Sequence, residues 1–129
     1  MKIGIAIAIA IALESIAVPA LAQTMNAENF HQRATKLKQK GPMAIFSRGE
    51  IKALTKEGQA AGMKARERRL AALKAGSKPR YCPPEGQNAM NSDEFMARLA
   101  AIPAADRARI DMTEATNRIL AGKFPCKAG

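Results

Sequence analysis

Two cysteines, Cys82 and Cys126, constrain the fold of this 129-residue chain more than any other sequence feature. Because the sequence holds no others, a disulfide within one chain can join them in only one way. That bond would enclose the last third of the protein and hold a tail that would otherwise be mobile. The alternatives are two free thiols or a bridge between two chains. Which of these three states forms depends on whether the cellular compartment is oxidising.

The N-terminal segment predicts export. Lys2 precedes an apolar run from Ile3 to Leu13, and the small-residue pattern Ala20-Leu21-Ala22 follows. This order is typical of a secretory signal peptide, residues 1–22, cleaved after Ala22. The alternative is an uncleaved membrane anchor, but the apolar run of eleven residues is far shorter than the roughly 20 needed to cross a bilayer. We therefore expect a periplasmic or secreted mature chain, residues 23–129, with no transmembrane segment and in conditions where a disulfide persists.

Helix-start and helix-stop residues divide the first half of the mature chain, residues 23–80, into two predicted helices. The first follows Asn26, a favoured N-cap residue, and ends at Gly41-Pro42. The second begins at Ser47, where Ser47 and Glu50 match a capping box, and continues to Gly76. This half therefore consists of one short and one long helix.

The second half, residues 81–129, predicts a helical hairpin after a long loop. A third helix follows the N-cap residue Asn91 and is stopped by Pro103. A fourth runs from Arg107 to Ala121, with Gly122 as its C-terminal stop. Since no convincing alternating strand pattern occurs in the mature chain, the sequence predicts a small, compact all-α domain of about four helices with one disulfide.

Positive charge is concentrated in the first half. From residue 23 to 80 there are fourteen Lys or Arg and four Glu, whereas residues 81–129 hold six basic and six acidic side chains. The densest stretch lies on the long helix and just after it, where Leu70 and Leu73 define the predicted apolar side. A solvated helix surface and a partner-binding basic face are both consistent with it; the residues of that face are Lys64, Arg66, Arg68, Arg69, Lys74, Lys78 and Arg80.

Catalytic and metal-binding patterns are scarce. His31 is the only histidine and is most simply a helix-surface or partly buried residue, and both cysteines are expected in the disulfide. The sequence has no phosphate-binding glycine loop, nucleophile elbow or zinc-ligand spacing. We therefore expect a protein that is not an enzyme and that has no cofactor and no catalytic or metal site.

The second half resembles a known family. The residues that carry the resemblance are YCPP, then a polar loop, an amphipathic helix, the pair Ile102-Pro103, a second helix and the terminal Phe124-Pro125-Cys126. In this order, over residues 81–126, they are similar to the Tai-type immunity proteins of bacterial type VI secretion. The resemblance implies a periplasmic, all-helical, disulfide-bonded protein, often a homodimer, that neutralises a peptidoglycan amidase effector. Only the two cysteines are carried over from it, and no partner-contacting residue.

Two function classes follow. The first is an immunity-type protein that binds a toxic effector protein. The alternative is an envelope polyanion-binding or structural protein whose basic long helix binds an acidic or anionic envelope surface. Nucleic acid is not expected as a partner, because the protein is exported and no aromatic stacking residues accompany the charges.

Overall fold

The computed structural model describes residues 24–86 and 90–127. The predicted signal peptide and its cleavage site lie outside these residues. Within them the fold is helical and no strand is present, so the predicted all-α class is confirmed. The helices are α1 (Ala27–Gln39), a 3₁₀ helix (Gly41–Ser47), α2 (Arg48–Lys74), α3 (Ser92–Ala101), the short α4 (Ala104–Arg107) and α5 (Met112–Lys123). None of these helices is long and apolar enough to cross a membrane.

Side-chain caps set the start of three helices. Asn26 accepts hydrogen bonds from the backbone N–H groups of Glu28 and Asn29, and Asn91 accepts one from Glu94, as the sequence predicted. Asp111 caps α5 in the same way, through the N–H of Glu114. Each cap satisfies backbone donors that a helix N-terminus would otherwise leave unpaired.

The predicted capping box at Ser47 is wrong. Ser47 stands before α2 but makes no side-chain cap hydrogen bond; its hydroxyl accepts one from Lys40 Nζ at 2.8 Å. The Glu50 carboxylate instead accepts two hydrogen bonds from Arg33 of α1, at 2.6 and 2.7 Å. A partner on a neighbouring helix has thus replaced the local motif, and this pair fixes α1 against the start of α2.

The last helix also differs from the prediction. The residues after Pro103 form the short helix α4, and α5 begins only at Met112, five residues after the predicted start at Arg107. Arg107 is 7% exposed, and it donates to Glu28 at 2.6 Å and to the carbonyl oxygens of Ala100 and Ile102. These contacts hold α4, the segment between α3 and α5, against α1 and the end of α3. At the other end α5 continues through Gly122 to Lys123, so Gly122 does not stop it.

The core draws on both halves of the chain. Its central side chains are Ala27, Phe30, Leu54, Ala61, Leu99, Met112, Ala115 and Ile119. The rings of Phe30 and Phe95 meet edge to face, with centroids 6.3 Å apart. Two connections complete the fold. Residues 24–27 pair with residues 110–113, and the Cys82–Cys126 disulfide joins the segments that follow α2 and α5, which confirms the predicted bond.

The long helix buries a different face from the one the sequence predicted. Its buried residues are Leu54, Ala61 and Ala65, and α5 is the helix that α2 contacts most extensively, while Leu70 and Leu73 are about half exposed. Alanine lets two helix backbones approach closely, so the small residues face the neighbouring helix. The C-terminal half of α2 consequently carries apolar side chains on its solvent-facing side.

Candidate functional site

The predicted basic residues separate into two groups in the structure. Five have exposed side chains, whereas Lys64 and Arg69 are partly buried; the exposed ones are Arg66, Arg68, Lys74, Lys78 and Arg80. Two of the seven, Arg69 and Arg80, make contacts within the fold, so the seven residues do not form a single binding face.

Arg69 and Arg80 fix the segment that follows α2. The Arg69 guanidinium lies 5.4 Å from the centre of the buried Tyr81 ring, a cation–π distance. Arg80 forms a two-pronged ion pair with Glu114 of α5, with Nη2 to Oε1 at 2.9 Å. Hydrogen bonding from Arg80, the largest cause, lowers the pKa of Glu114 and keeps this carboxylate charged. These contacts connect the end of α2 to α5 beside the disulfide.

A large groove lies between α1, α2 and the start of α3. Its volume is about 580 Å³. Apolar side chains from all three helices dominate its lining, and Lys38 and Asp93 supply charges of opposite sign. The apolar lining consists of Phe30, Ala34, Leu37, Ile51, Leu54, Met90, Phe95 and Met96. A groove with this character suits an apolar side chain or helix of another protein.

Exposed apolar side chains continue along the 3₁₀ helix, which connects the two helices on either side of the groove. Phe46 is 80% exposed, Met43 61% and Ile45 56%. Large apolar side chains that stand together in water commonly mark an interaction surface. We call Met43, Ile45 and Phe46 together with the groove-lining Ile51 the apolar rim.

His31 does not belong to a metal-binding group among the described residues. Over residues 24–86 and 90–127, no three His, Cys, Asp or Glu side chains are grouped so that they could hold a metal ion. Burial lowers the pKa of His31, and the nearby positive charge of Arg107 adds to that effect while Glu28 opposes it. His31 is therefore next to the Glu28–Arg107 ion pair, whose role is structural.

The sequence did not predict the groove. Its lining comes from three helices and spans 66 positions of the chain, from Phe30 to Met96. The one signal that could have pointed to this region is the apolar run Met43-Ala44-Ile45-Phe46. It lies between the predicted end of the first helix and the predicted start of the second. Such a run needs either a place in the core or an external partner, and the structure leaves it exposed.

Comparison of the chain with protein-family models, with curated proteins and with solved structures gave no match. The features of the chain that bear on its function are therefore the groove, the apolar rim, the basic residues and the residue pattern of the second half. Phe46 of the apolar rim and the exposed basic residues of α2 can be changed separately by mutation, because they lie on different parts of the fold.

Proposed function

We propose that this protein is an exported, periplasmic or secreted immunity-type protein that binds and neutralises a secreted toxic effector. A peptidoglycan amidase is the candidate effector, through the resemblance of residues 81–126 to Tai-type immunity proteins. The observation that carries the proposal is the apolar rim beside a groove of about 580 Å³. A protein partner would bury this surface, whereas a purely structural or polyanion-binding role has no use for it.

Phe46 is the expected anchor of the interface. Binding energy in protein interfaces is concentrated in a few aromatic and apolar residues that become fully buried. At 80% exposure, Phe46 has the most apolar surface to lose among the exposed large apolar residues. The exposed basic residues of α2 would then mainly accelerate the encounter with an acidic partner surface.

The second candidate is an envelope polyanion-binding protein. Arg66, Arg68 and Lys74 are exposed on the C-terminal half of α2, where Glu67 is the only acidic residue. Clustered cations of this kind attract anionic surfaces at low ionic strength. Screening weakens such attraction as salt rises, so ionic strength separates the two candidates.

Capture from periplasmic extract tests the proposal. The matched variants are Phe46→Ser in the apolar rim and Met63→Ser on α2, where Met63 is 65% exposed and does not line the groove. We expect wild type and Met63→Ser to retain one partner at high salt and Phe46→Ser to lose it, since only Phe46 belongs to the interface. The retained partner should cleave peptidoglycan, and added wild-type protein should inhibit that cleavage.

A charge-reversal variant completes the test. Arg66→Glu with Arg68→Glu should still capture the partner at high salt, though more slowly, because charge mainly raises the association rate. Arg69 is left unchanged, since its contact with Tyr81 belongs to the fold. Absence of any salt-resistant partner for the wild type would refute the immunity-type role and favour the polyanion-binding one.

A further inference from the structure

A second, smaller cavity lies between the C-terminal half of α2, the segment that follows it, and α5. Its volume is about 50 Å³. We call it the arginine cavity, and its polar lining consists of Arg68, Arg69, Lys78, Arg80, Tyr81 and Asn117. Arg68, Lys78 and Arg80 are exposed and surround its mouth, whereas Tyr81 and Asn117 are buried at its base.

Positive charge in the arginine cavity exceeds what the fold neutralises. Glu114 neutralises Arg80 through their ion pair. The other ion pairs of the described residues involve neither Arg68, Arg69 nor Lys78. Three cationic side chains therefore converge on one small cavity with no carboxylate of the described chain paired to them.

Two buried hydrogen-bond donors belong to residues that line the same cavity. Arg69 Nε and Asn117 Nδ2 are buried and have no hydrogen-bond partner among the described residues, and Asn117 is 1% exposed. Native proteins pair nearly all such groups, so two orphan donors at one place call for an acceptor. An acceptor with several oxygens could satisfy both donors at once.

The charge and the donors together define the ligand chemistry. Guanidinium groups match the geometry of phosphate oxygens, and a dianion complements three cations better than a single carboxylate does. A volume of about 50 Å³ suits one oxyanion group and excludes a sugar ring or a nucleobase. We propose that the arginine cavity binds a dianionic phosphate group, as inorganic phosphate or as a terminal phosphomonoester on a lipid headgroup.

This inference is independent of the immunity-type role. No residue lines both the arginine cavity and the apolar groove. The protein can therefore bind phosphate whether or not it has an effector partner, and Phe46→Ser, which tests the partner, leaves the arginine cavity unchanged.

The test uses nitrogen-15-labelled protein and follows the side-chain N–H signals of Arg69 Nε and Asn117 Nδ2. Inorganic phosphate is titrated at neutral pH, with sodium chloride of equal ionic strength as the reference. We expect both signals to shift in a saturable way with phosphate and not with chloride, because the bound anion accepts their hydrogen bonds. Arg68→Gln should weaken binding by about tenfold, the effect of one charge-assisted hydrogen bond.

Arg66→Gln is the matched control, since Arg66 is exposed on the same helix, carries the same charge and does not line the cavity. It should bind phosphate as the wild type does. Vesicles containing phosphatidic acid, compared with phosphatidylglycerol vesicles, identify the source of the phosphate. Shifts with phosphatidic acid alone indicate a lipid headgroup, and shifts with inorganic phosphate indicate the free ion; either result supports the proposal. It is overturned if neither probe shifts the two signals more than its reference does, or if Arg66→Gln weakens binding as much as Arg68→Gln.

Discussion

Removing the disulfide should cost this domain a large part of its stability. The bond closes a loop between residues separated by 44 positions. In the chain-entropy model, release of a loop of that length lowers the free energy of unfolding by roughly 4 kcal/mol. Loss of the bond also removes the covalent link between the segment that follows α2 and the segment that follows α5. We expect the double variant Cys82→Ser, Cys126→Ser to lose about 2 to 5 kcal/mol, the range found for small secreted domains.

Some contacts between these segments remain after the substitution. They limit the loss of stability and account for the lower end of the expected range. The backbone N–H of residue 82 donates to the carbonyl oxygen of Phe124 at 2.8 Å. The Arg80–Glu114 ion pair also remains beside the former bond, although it is partly exposed and so contributes little. The segments should therefore stay close in the folded state, and most of the loss should come from the freer unfolded chain.

Urea unfolding followed by helical circular dichroism measures the effect. With a slope of about 2 kcal/mol per molar urea, a loss of 4 kcal/mol moves the midpoint down by about 2 M. Wild-type protein in excess reductant is the control, and it should unfold at the same midpoint as the double variant. An oxidised wild type that unfolds at the midpoint of the double variant would refute the reasoning, because the covalent connection would then contribute nothing.

Three further measurements test the packing and the charges. Gly58→Ala and Gly62→Ala should each raise stability by about 0.5 to 1 kcal/mol in thermal denaturation, because an added Cβ has open space around it; a lower melting temperature would contradict this. Leu99→Ala should cost about 2 to 5 kcal/mol in urea unfolding, because Leu99 is 0% exposed, and a loss below 1 kcal/mol would exclude it from the core. The pKa of Glu28 is lowered by its hydrogen bond from Arg107, and burial lowers that of His31 below its ordinary 6.5. Both groups therefore favour the folded state above their ordinary pKa values, so the melting temperature should fall as pH drops below about 6.5, and a constant or rising value would contradict the two assignments.

Local signals predicted most of the helix starts. Asn26 and Asn91 act as caps because their side chains reach backbone N–H groups only two or three residues away, and the sequence contains everything that this geometry needs. The Ser47–Glu50 motif has the same spacing but failed. Arg33 lies opposite Glu50 only after α1 packs against α2, and the sequence does not show that packing.

The buried face of α2 illustrates a second limit. Large apolar side chains usually mark the buried side of a helix, and Leu70 and Leu73 therefore suggested it. The structure buries Ala61 and Ala65 instead, because α5 packs there. α5 begins 38 residues after α2 ends, and its packing decides which of the two apolar stripes of α2 is buried. The sequence of α2 alone therefore could not show the buried stripe.

The candidate sites were predicted only in part. The sequence identified the basic residues and left open whether they form a solvated surface or a binding face, whereas it gave no sign that Arg69 and Arg80 contact Tyr81 and Glu114. Asn117 carries no signal in the sequence, because a single asparagine on a helix is ordinarily exposed. Its place in the arginine cavity depends on three segments meeting, which only the folded chain shows.

The pairing of residues 24–27 with residues 110–113 determines the order in which the molecule can be completed. Met25 accepts a hydrogen bond from Met112, and the hydroxyls of Thr24 and Thr113 lie 2.9 Å apart although 89 positions separate them. The first part of the described chain to be synthesised therefore takes its final place only after nearly all the rest has been made. Contacts so distant in sequence form slowly, since the intervening loop must close first. A chain that lacks residues 110–129 would therefore lose the hydrogen bonds that hold residues 24–27 beside the start of α5, although the Met25 N–H still donates to Glu57 of α2.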